Sequence, residues 1–217
     1  MNLKELILNP NDFFKNLSCK ETSLKTPFLI VLIFSVLMSA YTYYTTSIMF
    51  KIFPSDMQSM MSIMIIITAV SSLVGGFISW LLVAAVMHII SIAFKGEGSF
   101  KRTFEFTGYG FLPNLIALCI TIPIGYYFLS NAHIPTLTMA QLKNPVVVKQ
   151  VMSSIIPKTM VYVNLLIGIA VSLWNLGLWT YGIKYARNLE LKKAFIVALI
   201  PTVLFGIYQL YSVAKFL

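Results

Sequence analysis

The sequence predicts an all-α integral membrane protein with five transmembrane helices and short interfacial helices. Of its 217 residues, 58% are hydrophobic and 11% are charged, whereas soluble domains carry about 25% charged residues. Five apolar stretches reach or exceed the roughly 20 residues that a helix needs to cross a hydrocarbon core of about 30 Å. We therefore expect a single membrane domain over residues 27–217, preceded by a cytoplasmic segment of residues 1–26 that contains an interfacial helix.

The second apolar stretch is longer than one span. As a single helix with a rise of about 1.5 Å per residue, residues 57–94 would measure about 57 Å. The stretch could form two spans broken at Gly75 and Gly76, or one helix that projects beyond the membrane or kinks at these glycines. In the five-span arrangement the predicted spans are residues 27–46, 60–94, 107–129, 159–183 and 194–214.

The distribution of lysine and arginine favours the five-span arrangement. With one long second helix, one side of the membrane holds eleven of the 16 Lys and Arg residues and the other side holds five. If the stretch were split, each side would hold eight. Because cytoplasmic loops carry an excess of Lys and Arg, we expect a cytoplasmic N terminus and an external C terminus.

Three segments between the spans are predicted to form short helices. Asn9 is an N-cap candidate followed by a proline at the first helical position. Ser99 can cap a second helix, in which Lys101 is expected to pair with Glu105 one turn later. A third helix carries an apolar stripe formed by Val147, Val148, Val151, Met152 and Ile155. We expect these helices to anchor and cover the bundle.

The most distinctive sequence lies around the start of the third predicted span. It reads Gly-Glu-Gly-Ser-Phe-Lys-Arg-Thr-Phe from Gly96, and Gly-Tyr-Gly-Phe-Leu-Pro-Asn from Gly108. Together with Pro10 near the start, Trp80 in the long stretch and Pro201 in the last span, this order resembles the Yip family, the Ypt/Rab-interacting membrane proteins. The resemblance covers nearly the whole chain. Its inner-loop motif residues here are Gly96, Gly98, Ser99, Phe100, Lys101, Gly108, Tyr109 and Pro113.

The resemblance implies a non-enzymatic membrane scaffold or adaptor linked to membrane organisation or trafficking. For eukaryotic members it also implies binding of prenylated small GTPases. Those members carry a long cytosolic region with an Asp-Leu-Tyr-Gly-Pro type motif before the first span, which residues 1–26 do not match. GTPase binding is therefore carried over to no residue of this chain. The short segment is similar to that of prokaryotic members, which implies a bacterial or archaeal plasma membrane.

The expected partners follow from these predictions. The spans contact the lipid bilayer, and the inner loops present a surface for a cytosolic or membrane protein. Basic residues occur singly between spans rather than in one block, so nucleic acid is not expected. Small residues at four-residue spacing allow helices to approach closely, within one bundle or between the copies of a homo-oligomer. These packing candidates are Gly75, Gly76, Gly168 and Ser172.

Enzymatic chemistry is not expected from the sequence. Away from their ends, the five predicted spans contain no Asp, Glu, Lys or Arg. His88 and His133 are far apart and have no second ligand nearby in sequence, and Cys19 and Cys119 form no disulfide or metal-binding pattern. No sequence motif for a phosphate loop or a hydrolase is present. We therefore expect no catalytic residue, cofactor or metal.

A small-solute or ion permease is the alternative function. Transport pathways are usually marked by polar groups inside the membrane, and Asn114, Asn164 and Asn175 are the candidates here. The two functions differ in an observable property, because a permease requires a polar cavity at the middle of the membrane whereas a scaffold can be packed solid.

Overall fold

A computed structural model describes residues 3–216, and within this range every regular element is a helix. The helices are α1 (Leu3–Leu8), α2 (Pro10–Ser18), α3 (Lys25–Met49), α4 (Gln58–Ala93), α5 (Phe100–Tyr109), α6 (Leu112–Ser130), α7 (Met139–Leu142), α8 (Pro145–Ile155), α9 (Lys158–Ala186) and α10 (Leu191–Phe216). Among these residues, five segments are long and apolar enough to cross a membrane. The predicted fold class is confirmed.

The long second stretch is one continuous helix. α4 has 36 residues and passes through Gly75 and Gly76 without interruption. At about 1.5 Å per residue it measures roughly 54 Å, which is longer than the hydrocarbon core. The structure therefore has the single long helix of the five-span arrangement, and not two spans joined at the glycines.

The third spanning segment is divided into the short helix capped by Ser99 and a longer helix. This segment covers Phe100–Ser130, but α5 ends at Tyr109 and α6 begins at Leu112. The predicted span of residues 107–129 lies within this segment, and its first three residues belong to α5. The N–H groups of Gly110 and Phe111 bond to carbonyls three residues earlier, which tightens the end of a helix, and Pro113 occupies the first turn of α6.

The spanning helices form a closed ring. α3 packs against α4 and α6, α9 packs against α6 and α10, and α10 packs against α4. The short helix α5 contacts α3, α4 and α9, so it fills one end of the ring. This arrangement leaves the middle of the bundle to be filled by side chains or by a cavity.

One end of the bundle gathers segments that are distant in sequence. We call it the N-terminal end and define it as residues 3–25, 93–105 and 184–193. α2 packs against α9 there, and Leu6, Phe13, Phe14 and Leu17 are buried in the same core cluster as residues of α4, α5 and α9. The boundary predicted at residue 26 therefore does not separate two cores. The predicted Asn9 cap is confirmed, because its side chain accepts a hydrogen bond from the Asp12 N–H at 3.4 Å.

The opposite end of the bundle is covered by α7, α8 and their loops. A second core cluster is formed there by Ile48, Ile52, Leu129 and Ile155. The predicted stripe of α8 faces this cluster, since Ile155 is buried and Val151 and Met152 pack against it. α8 therefore covers the bundle as expected.

Candidate functional site

Arg187 is buried at the N-terminal end and bonds to the end of α4 and to the loop that follows it. Only 3% of its surface is exposed. Its Nε donates to Ser91 Oγ at 2.7 Å, its Nη2 donates to the Gly96 carbonyl at 2.6 Å, and its Nη1 donates to the Gly98 carbonyl. Burial lowers the pKa of the Arg187 guanidinium, but arginine stays charged in proteins. The side chain therefore joins the end of α9 to the loop after α4.

The glycines of the motif make this arrangement possible. Gly98 has a φ of +115°, a conformation that residues with a Cβ rarely adopt. A Cβ at Gly98 would lie 2.5 Å from the carbonyl oxygen of Ala186, so the loop can lie this close to α9 only with glycine. The Glu97 N–H also donates to the Arg187 carbonyl at 2.8 Å.

Arg102 and Glu105 attach the N-terminal segment to α5. They form an ion pair of 2.8 Å, and the Glu105 side chain is fully buried. Arg102 also donates to the carbonyls of Leu17 and Lys20, and Glu105 accepts from the Ser23 N–H at 3.1 Å. These bonds hold the last turn of α2 and the segment that follows it against α5.

The predicted pair between Lys101 and Glu105 is wrong. Glu105 points into the bundle and Arg102 lies on the same face, whereas Lys101 is exposed. An arginine also suits this position because its planar head can donate several bonds at once. The predicted cap is confirmed, since the Ser99 hydroxyl accepts from the Arg102 N–H at 3.3 Å.

α5 is fixed to its neighbours by aromatic side chains. Trp80 Nε1 of α4 donates to the Phe104 carbonyl at 2.9 Å, and Trp179 Nε1 of α9 donates to the Thr107 carbonyl at 3.1 Å. A Cβ at Gly108 would lie 2.8 Å from Trp80, so the close approach requires glycine. Phe13 of α2 packs edge-on against Tyr109, with ring centroids 5.3 Å apart.

Phe100 and Pro113 of the motif, and His88 of α4, lie at separate points around α5 and α6. Phe100 is 39% exposed and stacks on Phe104, one turn later, at 5.9 Å between centroids. His88 Nδ1 lies 3.0 Å from the Thr103 hydroxyl, so it has a structural partner on α5. Pro113 is buried in the first turn of α6. Roles for these residues beyond packing remain predictions.

A cavity of about 480 Å³ lies in the middle of the ring. All five spanning segments contribute to its wall. Most of the lining is apolar or aromatic, and its polar side chains are Ser79, Asn114, Ser172, Asn175, Thr202, Tyr208 and Gln209. No Asp, Glu, Lys, Arg or His belongs to this lining. The bundle is therefore not packed solid, and the cavity is suited to an uncharged molecule.

Asn175 has a buried, unpaired amide oxygen and belongs to the cavity wall. It is 6% exposed, and its Oδ1 is buried without a hydrogen-bond partner among the described residues. An unsatisfied buried polar group costs about 1–3 kcal/mol, and such groups in folded proteins commonly indicate a water molecule or a ligand. Asn175 therefore marks the cavity as a candidate binding site.

The other predicted polar and packing residues are only partly brought together. Asn114 lines the cavity with Asn175, whereas Asn164 lies outside the described lining. Ser172 and Gly168 also belong to the wall, and a Cβ at Gly168 would lie 1.6 Å from Gln209 Nε2. Two of the three predicted asparagines therefore line one cavity, together with Gln209 of α10, which was not predicted. A polar path through all three remains a prediction.

The glycine pair of α4 divides into one packed and one open position. A Cβ at Gly76 would lie 2.0 Å from Ser35 Oγ of α3, whereas a Cβ at Gly75 would meet no atom within 4 Å. Gly76 thus lies in a helix contact of the single chain. A packing role for Gly75 remains a prediction, and it would involve contacts outside the single chain.

Sequence reasoning missed the residues whose partners are distant along the chain. Arg187 was counted only as a charge that orients the membrane domain, and Glu105 was paired with the wrong cation. The two glycines on either side of Glu97 were the available signal for a tightly packed loop. Within residues 3–216, no group of three or more His, Cys, Asp or Glu side chains could hold a metal ion.

These features define an α-helical, multi-pass membrane protein in which a short helix and an N-terminal segment close one end of a five-span ring. The Yip1 domain model matches residues 4–213, and the chain belongs to the Yip1 domain family. It is 57% identical over 127 residues to an uncharacterized protein of Methanocaldococcus jannaschii, covering 58% of this chain and 90% of that protein. No solved structure matches the chain. The resemblance to the Yip family that the sequence analysis described is confirmed.

Proposed function

We propose that this protein is a non-enzymatic membrane scaffold or adaptor that holds a partner protein at its N-terminal end. The observation that carries the proposal is the linkage of the N-terminal segment, α5 and the end of α9 by two arginines, Arg102 and Arg187. This linkage orders a surface built from three separate parts of the chain. An ordered surface lowers the entropy cost of binding a partner.

The exposed residues around α5 are the proposed contact surface. Phe100 is an exposed aromatic side chain, and Lys101 is exposed beside it. Lys192 and Lys193 are exposed at the start of α10. Aromatic side chains are common anchors of protein interfaces. A role in membrane organisation or trafficking is part of this proposal.

The proposal also places the N-terminal end in the cytoplasm of a bacterial or archaeal cell. Its support is the excess of lysine and arginine in the three segments that form this end, since positive charge is retained on the cytoplasmic side. The similar protein mentioned above comes from an archaeon, Methanocaldococcus jannaschii, which is consistent with an archaeal plasma membrane. In this orientation the proposed surface can reach a cytosolic protein.

A photo-crosslinking amino acid at a single position tests the adaptor function in living cells. We expect a probe at Lys101 or Phe100 to give a discrete protein adduct that disappears when a second substitution, Lys192→Glu, is introduced. The matched control is a probe at Lys149, an exposed lysine of α8 at the opposite end. The adaptor function is contradicted if both ends give the same adducts, or if the N-terminal end gives lipid adducts alone.

A small-solute permease is the second candidate, and the central cavity with Asn114 and Asn175 is the observation that favours it. Asn164 lies outside the wall and the lining is mainly apolar, and both features disfavour a continuous aqueous path. Uptake of a small polyol into liposomes containing the purified protein tests it. A permease requires uptake above that of protein-free liposomes, with a decrease in the Asn175→Leu variant.

A further inference from the structure

We propose that the central cavity binds a single-chain lipid with an uncharged head group that carries a hydroxyl, such as a monoacylglycerol or a long-chain alcohol. The volume of about 480 Å³ lies within the range of roughly 300–1,000 Å³ that small-molecule sites occupy. This inference is independent of the adaptor function, which concerns the N-terminal end of the bundle.

The wall of the cavity selects an apolar molecule with one neutral polar group. Phe34, Met38, Val83, Phe111 and Phe205 supply most of an apolar surface suited to a hydrocarbon chain. A charged head group would have no counter-ion there, because no Asp, Glu, Lys, Arg or His side chain belongs to the lining, and an unpaired charge at this depth is costly.

The polar cluster selects a hydroxyl. Asn175 lines the cavity, although its unpaired Oδ1 is itself buried, and Asn114, Thr202 and Gln209 lie in the same wall. An amide group both donates and accepts hydrogen bonds, and a hydroxyl group can do both in return. Rotation of the Asn175 side-chain amide exchanges its oxygen and nitrogen, so either atom can serve a ligand.

The cavity is accessible from the bilayer. Phe205 and Tyr208 line it and are also 46% and 70% exposed. After Thr202, every residue of α10 whose burial is described is exposed or half-buried, so much of the second half of this helix faces the bilayer. A molecule can therefore enter sideways between α10 and its neighbours, in the leaflet away from the N-terminal end. Such an entrance is suited to a lipid.

Gln209 lies at the edge of this entrance. Its side chain contacts Gly168 of α9, and together with Ser172 it lines both the central cavity and a smaller groove of about 160 Å³ on the other side of that contact. The groove is lined otherwise by Ile169, Leu173, Gly206 and Leu210, several of them exposed. Movement of the Gln209 side chain would join the two spaces into one elongated site for a chain.

Photo-labelling of the full-length protein in nanodiscs tests the proposal. The probe is a monoacylglycerol with a diazirine in its acyl chain, and the modified positions are read by peptide mass spectrometry. We expect saturable labelling of residues that line the cavity, such as Trp179 and Phe205, and competition by unlabelled monoacylglycerol. The Asn175→Leu variant, which keeps the side-chain size, should lose at least five-fold of this labelling.

The matched control is Asn164→Leu, which makes the same change on the same helix outside the cavity wall. It should retain wild-type labelling. Tryptophan fluorescence on heating checks that both variants remain folded, and the labelled positions in the wild type provide a readout that needs no variant. Equal labelling of the two variants overturns the proposal. So does labelling confined to lipid-facing residues such as Leu166, or Asn175-dependent polyol uptake without saturable lipid labelling.

Discussion

Replacement of Arg187 by methionine should release the loop after α4 from the end of α9. The substitution retains a long apolar side chain but removes the donors to Ser91, Gly96 and Gly98. A hydrogen bond to a charged group contributes about 1.5–3 kcal/mol. Because Arg187 is only 3% exposed, solvent screens these bonds little in the wild type. In the variant the Gly98 carbonyl can bond to water instead, which offsets part of the lost free energy. We expect the free energy of unfolding to fall by about 3 kcal/mol.

Two measurements check this value. The fraction of folded protein during titration with SDS, followed by tryptophan fluorescence, gives the change in free energy. Hydrogen exchange gives the local effect, because the Gly96 and Glu97 N–H groups are bonded to the carbonyls of Ser91 and Arg187 and should exchange faster in the variant. Lys192→Met is the control for loss of an exposed cation at the same end. Equal unfolding curves for the two variants would refute the structural role of Arg187.

Two further predictions compare neighbouring positions. Gly76→Ala should destabilise the protein in SDS titration, because its Cβ would lie 2.0 Å from Ser35 Oγ. Gly75→Ala should be neutral, because its Cβ would meet no atom within 4 Å. Equal effects of the two substitutions would contradict the described packing of α3 on α4. Arg102→Ala should increase proteolysis of residues 17–23, since its guanidinium holds two carbonyls there, and Lys101→Ala should not. Faster cleavage of the Lys101 variant would instead support the pairing expected from sequence.

The elements that the sequence predicted depend on local chemistry. The spans follow from the length and composition of apolar runs, and the caps at Asn9 and Ser99 follow from short side chains that accept backbone N–H groups within three residues. The stripe of α8 follows from helical spacing. In each case the interacting groups lie within a few residues of one another, so the sequence contains the necessary information.

The elements that it did not predict depend on contacts between distant residues. Arg187 and Gly96 are 91 residues apart, and the burial of the arginine could be known only after α9 and the loop after α4 were placed side by side. The choice of Arg102 over Lys101 depends in the same way on which face of α5 meets the N-terminal segment. The sequence predicted a short helix before the third span, but not that it extends to Tyr109, where indole donors from two other helices bond to its carbonyls.

The cavity was expected only in outline. Asn114 and Asn175 were identified as polar groups inside spans. That they line one cavity with Gln209, and that Asn164 does not, depends on which face of α9 meets α10. Small residues at regular spacing indicate that helices can approach, and they do not indicate which of them face a neighbour. Gly75 and Gly76 are adjacent in sequence, yet only a Cβ at Gly76 would meet a neighbouring helix.

The side of the membrane that the N-terminal end faces is the most direct test of the adaptor account. Cys19 is exposed at that end, and Cys119→Ser leaves it as the single thiol of the chain. Labelling with a membrane-impermeant maleimide in intact and permeabilised cells reads its position. The account predicts labelling of Cys19 only after permeabilisation, whereas labelling in intact cells would place the proposed surface outside and contradict a cytosolic partner.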